Sequence, residues 1–256
     1  MDNINHLDCS LRDGGYYNNW DFDNDLINQY LQVLESINID FCEIGFRFYK
    51  NNGFKGSCAF TTEEFLASLN IPNNLKIAIM INASELISNE ELIIDRLKKL
   101  IPLKASKSKV DMVRVACHSE IIEKILPVFD FIHNQGYISC CNITQISDKT
   151  TERLEELSCL LSNSKVDILY FADSLGSSTP KSIKNIVKAL KKNWKGQLGI
   201  HAHNNTGLAL SNTIQAIECG VKWVDSTITG IGRGPGNTHT EELIFELNQN
   251  KCEPIK

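Results

Sequence analysis

Three short segments carry side chains able to do chemistry together. The first is Leu7-Asp8-Cys9-Ser10-Leu11-Arg12-Asp13-Gly14-Gly15-Tyr16, where a guanidinium stands beside a carboxylate. Neither group is easily buried unpaired. The two glycines that follow let a backbone turn closely around a ligand; a surface loop with a local salt bridge is the plainer alternative. The second is Ile200-His201-Ala202-His203-Asn204-Asn205. Strand side chains alternate faces, so His201 and His203 point the same way and can reach one metal ion. Two satisfied core histidines would show the same spacing. The third is Gly230-Ile231-Gly232-Arg233-Gly234-Pro235-Gly236-Asn237, with four glycines in seven residues. It reads as a loop whose backbone approaches a phosphate, a metal or a carboxylate, or as a flexible turn.

The elements that must position these segments alternate strand and helix along the chain. Apolar runs predict strands at Ile4–Cys9, Phe41–Phe46, Leu75–Ile81, Val110–Cys117, Gly136–Ile143, Val166–Ala172, Leu198–His203 and Val221–Ile228. Helical patterns fall at Asp23–Ile37, Leu92–Ile101, Glu120–Asn134, Lys149–Leu161, from Pro180, and at Gly207–Glu218 and Glu241–Asn248. A short helix opens at a Thr61/Glu64 capping box, and Ser88/Glu91 forms another. The segment after the first strand reads as a polar loop. Continuous apolar strands suit a parallel sheet buried on both faces. Eight such units in 256 residues favour a single (β/α)8 barrel over an open doubly wound sheet, with residues 1–256 as one catalytic domain.

In such a barrel the site lies where strands end, and the last strand pairs with the first. The three segments therefore meet on one stretch of rim. Asp13, His201 and His203 can form a facial set of one carboxylate and two imidazoles, with coordination positions open for substrate and Asn237 adding an amide oxygen.

Composition narrows the partners. Net charge is −5 and there is no basic block, which excludes nucleic acid and an anionic membrane surface as expected partners. No apolar run approaches the length of a membrane span, and no signal peptide is visible, so the cytoplasm is the expected compartment. Nine cysteines without a CxxC pair read as buried free thiols.

Taken together, Leu-Arg-Asp-Gly, His-Ala-His-Asn-Asn and Gly-Ile-Gly-x-x-x-Gly-Asn resemble the DRE-TIM metallolyases (the HMG-CoA lyase-like family), closest to the catalytic domain of the 4-hydroxy-2-oxovalerate aldolase type. Glu43-Ile44-Gly45, Val113-Arg114-Val115-Ala116 and Ala172-Asp173-Ser174-Leu175-Gly176 support it. The resemblance implies a divalent metal, Mn2+ or Mg2+ ahead of Zn2+ or Co2+, held by Asp13, His201, His203 and Asn237. It implies a 2-oxo acid such as pyruvate and an aldehyde as substrates, with Arg12 stabilising an enolate oxygen.

Departures from the family refine this expectation. The last glycine-rich loop has no Cys, which argues against HMG-CoA lyase activity. No further domain follows the barrel in this sequence, which argues against the Claisen-type synthases and against a docked dehydrogenase partner. Tyr16 stands near the position where the aldolase has a His, and becomes a candidate base if metal or Arg12 lowers its pKa. A metal-bound water and His118 are other candidates. Glu43, Arg114, His118, Asn142, Ser174 and Arg233 are expected at the substrate pocket, Glu43 and Arg114 as an ion pair on its floor. A homodimer is also expected. Alternatives are a Claisen-type acyltransferase using an acyl-CoA and a non-catalytic ligand-binding barrel.

Overall fold

The computed structural model describes residues 4–87 and 91–249. Eight parallel strands close into a barrel in chain order. They are β1 (Asn5–Asp8), β2 (Phe41–Phe46), β3 (Lys76–Asn82), β4 (Met112–Cys117), β5 (Ile138–Ile143), β6 (Ile168–Asp173), β7 (Gln197–Ala202) and β8 (Trp223–Ser226). Closure is made by β1, whose Leu7 lies opposite Phe41 of β2 and Asp225 of β8. Between the strands run α1 (Ser10–Asn18), α2 (Asn24–Ser36), α3 (Glu63–Ser68), α4 (Ala83–Leu86), α5 (Ile93–Leu100), α6 (Ile122–Asn134), α7 (Thr151–Ser162), α8 (Pro180–Lys191) and α9 (Ala209–Glu218). Helix α10 (Thr240–Gln249) follows β8.

The strands are apolar on both faces because both are covered. Val113 and Val115 pack outward with Ile125 and Phe129, while Leu7, Phe41, Met112, Ile168, Tyr170 and Trp223 fill the interior. Helix starts follow their capping chemistry. Asp23 accepts from the N–H groups of Asp25 and Leu26. Thr179 and Ser182 form a reciprocal capping box around Pro180 at the first turn of α8. None of the helices described is long and apolar enough to cross a membrane.

Two local expectations change, and a third is not tested. The segment after β1 is a helix, not a loop, and it begins without a side-chain cap. Its Gly15 is required by packing, since a Cβ there would lie 2.0 Å from the Trp20 ring. The capping residue of α3 is Thr62, which accepts from Phe65 N–H at 3.2 Å. Thr61 is instead held at φ +34° with its hydroxyl on the Cys58 carbonyl. The Ser88/Glu91 box falls partly outside the described residues.

Candidate active site

At the carboxyl rim, the ends of the strands surround a cavity of ≈ 290 Å³. Arg12 and Tyr16 reach it from α1, His201 and His203 from the end of β7, and Arg233 from the loop after β8.

Beneath it lies a closed circuit of charged groups. Arg12 Nη1 pairs with Asp13, and Arg12 Nε donates to Glu43 Oε2 at 2.7 Å. Glu43 Oε2 also meets Arg114 Nη1 at 3.1 Å, and Arg114 Nη2 donates to Asp225 Oδ2 at 2.6 Å. Asp225 Oδ2 lies 2.9 Å from His201 Nδ1. His201 Nε2 then lies 3.5 Å from Asp13 Oδ2, which completes the circuit. Three carboxylates and two guanidiniums leave a formal charge of −1 when His201 is neutral, a balance suited to a cation.

Each member is placed by its element. Arg12 and Asp13 sit in the first turns of α1, where Asp13 N–H donates to the Cys9 carbonyl. The Trp20 indole donates to the Arg12 carbonyl at 2.8 Å. Gly45, beside a register shift in β2, admits the Cys58 carbonyl where any Cβ would collide. Arg114 is fully buried with its guanidinium 4.3 Å from the Tyr170 ring centroid.

Asn237 joins from the glycine-rich loop, donating from Nδ2 to Asp13 Oδ2 at 2.7 Å. Its Oδ1 is buried and has no hydrogen-bond partner among the described residues. A bridge to His203 and the bond from Asn204 N–H to the Gly236 carbonyl fasten this loop to the end of β7. The Tyr17 hydroxyl donates to the Gly232 carbonyl at 2.6 Å and ties the loop to α1. The loop's glycines serve its own fold. A Cβ at Gly236 would lie 1.9 Å from the Gly230 oxygen, and one at Gly232 would lie 2.7 Å from the Asn237 amide nitrogen.

The electrostatics favour metal-ready forms. Burial lowers His203 to about 3, helped by His201 and the two nearby arginines, so its imidazole is neutral at pH 7. Burial pushes the Asp13 carboxyl up, but Arg12, the two histidines and the Asn237 amide outweigh it and hold it below the usual range. The imidazoles of His201 and His203 stand 5.0 Å apart, centroid to centroid. An ionised carboxylate, two imidazoles and an unpartnered amide oxygen fit a divalent ion. Cys9, His201 and Asp225 also bring donor atoms within 4.8 Å of one another. That grouping is the weaker one: burial pushes the Cys9 thiol well up, and His201 Nδ1 is already engaged by Asp225.

The other candidates divide. Asn142, His118, Ser174, Arg233 and Tyr16 line the cavity as the sequence suggests. Glu43 and Arg114, expected at the pocket, are not on its lining; both are fully buried and pair with each other at 3.1 Å. Asp13 and Asn237 lie just under the cavity lining, at 0% and 1% exposure. Desolvation raises the Tyr16 phenol despite Arg12 and Arg233, so the lowered pKa expected of a base is not found among the protein's own groups. Sequence reasoning missed Asp225, which lies inside an apolar strand, and the wall residues Asn82, Thr144 and Gln145. Strand periodicity offered a signal for Asp225, because it lies opposite Leu7 of the inward-facing set.

Known proteins resemble this chain. A 4-hydroxy-2-oxovalerate aldolase from Geobacillus thermodenitrificans is 26% identical over 94% of this chain and 68% of its own length. A protein from Archaeoglobus fulgidus assigned as a 2-isopropylmalate synthase is 24% identical over 97% of this chain, which spans only 48% of it. The N-terminal domain of a Bacteroides vulgatus protein assigned as an aldolase superposes with a TM-score of 0.83 at 32% identity, covering 99% of this chain and 82% of that one. The HMGL-like family model spans residues 3–255, and the chain therefore belongs to the HMGL-like family.

Proposed function

We propose that this protein is a divalent-metal-dependent carbon–carbon lyase of the pyruvate-aldolase type, forming or cleaving a 4-hydroxy-2-oxo acid. The observation that carries the reading is the donor set of Asp13, His201, His203 and the unpartnered Asn237 oxygen beside a rim cavity. Oxygen and nitrogen donors suit Mn2+ or Mg2+, with Zn2+ and Co2+ also compatible. Such an ion would supply Lewis-acid polarisation of the carbonyl of a 2-oxo acid, lowering the cost of removing a proton from C3.

The chain's own residues account for the rest. Glu43 and Asp13 engage Nε and Nη1 of Arg12, whose side chain also lines the cavity and has Nη2 without an ion-pair partner among the described residues. A guanidinium fixed in that way can meet charge as it develops on the substrate oxygen. The Tyr16 hydroxyl, kept protonated, suits a hydrogen-bond donor in the same cavity. Arg233 holds its guanidinium 5.0 Å from the Tyr16 ring centroid and forms no ion pair among the described residues. It is available to an anionic group on the acceptor.

The relative assigned as a synthase favours a second reading, condensation of an acyl-CoA with a 2-oxo acid. Product analysis separates the two. Pyruvate plus an aldehyde yields a 4-hydroxy-2-oxo acid under the first reading. Metal-dependent release of CoA thiol from pyruvate plus acetyl-CoA would replace it with the second.

A further inference from the structure

The cavity wall across from the metal-ligand cluster carries several polar side chains and no carboxylate or guanidinium. Closure in chain order puts β4 across the barrel from β8, so the ends of β3 to β5 face the cluster. From them come Asn82, His118, Asn142, Thr144 and Gln145, all on the cavity, beside the smaller apolar contribution of Met80, Ala116 and Cys117. No Asp or Glu lines it, and its two arginines, Arg12 and Arg233, come from α1 and the loop after β8.

The local hydrogen bonds leave donors for a ligand. Asn82 Oδ1 accepts from the Ser84 N–H at 3.3 Å and hydroxyl at 2.9 Å, so Nδ2 is the end left over. Asn142 Oδ1 accepts from the Cys140 thiol at 3.1 Å, and again the amide nitrogen is left. The Thr144 hydroxyl lies 3.1 Å from His118 Nδ1, leaving Nε2 of that exposed ring unengaged. Gln145 is held at φ +54° with its N–H on the Ser174 hydroxyl at 3.1 Å, while its side-chain amide has no partner among the described residues. A left-handed backbone at a non-glycine residue is costly and tends to mark a binding position.

We infer that the acceptor is a polyhydroxylated aldehyde, so that the product is a 4-hydroxy-2-oxo acid with a hydroxylated tail; this rests on the aldolase reading. An alkyl tail would bury these amides without partners, whereas hydroxyl groups satisfy them. The step balances without an oxidant. C3 of the 2-oxo acid gives up a proton, its electron pair forms the bond to the aldehyde carbon, and the aldehyde oxygen takes a proton.

The test is metal-dependent addition of pyruvate to glyceraldehyde and erythrose against propanal and butanal, which match them in carbon number. The hydroxylated members are expected to show kcat/KM higher by about tenfold or more. Asn142→Leu and Gln145→Met are each expected to shrink that ratio severalfold; should the buried Asn142 variant not fold, the rim variant carries the test. Pyruvate C3 proton exchange, which needs no acceptor, runs in parallel. Exchange accompanied by a preference for the alkyl aldehydes overturns this inference and leaves the aldolase reading standing. A ratio that neither variant changes overturns the assignment of the wall. Absence of exchange removes the aldolase reading and this inference with it.

Discussion

His201 Nδ1 and Asp225 Oδ2 lie 2.9 Å apart, and that contact determines which nitrogen of His201 is free. With Nδ1 committed, Nε2 is the atom turned toward Asp13. A carboxylate behind a metal-binding imidazole fixes its tautomer and raises its basicity. Asp225→Asn is therefore expected to weaken Mn2+ binding by about 10–100-fold. Calorimetric titration of the metal checks this, and unchanged affinity would place the metal elsewhere.

The same circuit predicts a stability effect at Arg114, whose charge is fully buried between Glu43 and Asp225. Arg114→Met removes that cation and leaves Glu43 with Arg12 and Asp225 with His201 as their remaining charged partners, at a cost of about 3–5 kcal/mol. Urea unfolding measures it. A variant as stable as wild type would show that the floor pair is not structural.

Much of this was legible in the sequence, and the reason is positional. His201 and His203 end an apolar strand, and Arg12 and Asp13 follow another, so barrel closure alone brings them together. What escaped notice is physical as well. Helix α1 contains two glycines and lacks a side-chain cap, so local propensity argues for a loop; packing against Trp20 overrides it. Asp225 is hidden inside Trp223–Ser226, where only its distant partners Arg114 and His201 justify a buried charge. Gln145 and Asn82 belong to no motif, and only barrel closure brings them onto one cavity.

Arg233 is exposed at the mouth, so its contribution should depend on the acceptor. Arg233→Ala is expected to raise KM for an aldehyde carrying a phosphate or carboxylate by about tenfold, and to leave a neutral aldehyde nearly unaffected. Steady-state kinetics with a charged and neutral pair decides it. Equal effects on both would rule out an anion contact.

A second buried network contributes to the pH dependence of stability. His6 Nε2 meets the Ser226 hydroxyl, which contacts Thr240, whose hydroxyl donates to Asp8. Burial lowers His6 to about 4, so its contribution is present above the ordinary value near 6.5 and is lost as pH falls toward 4. Burial raises Asp8 to about 6, so its contribution is present below 3.8 and is lost as pH rises through 6. The two oppose each other between pH 4 and 6, each at about 3 kcal/mol. Asp8→Asn should therefore steepen the loss of stability on acidification across that window, and His6→Gln should make it shallower. Denaturant midpoints at pH 4, 5 and 6 read this out, and parallel profiles for all three proteins would contradict it.

The central claim is that Asp13, His201, His203 and Asn237 hold a metal that assists proton removal from a 2-oxo acid oriented by Arg12. The most direct measurement is exchange of the pyruvate C3 protons with deuterated water, followed by NMR with Mn2+ added and with EDTA. Exchange is expected with Mn2+, absent with EDTA, and lost in Arg12→Ala and Asp13→Ala. Exchange that ignores the metal, or that survives both substitutions, would contradict the account.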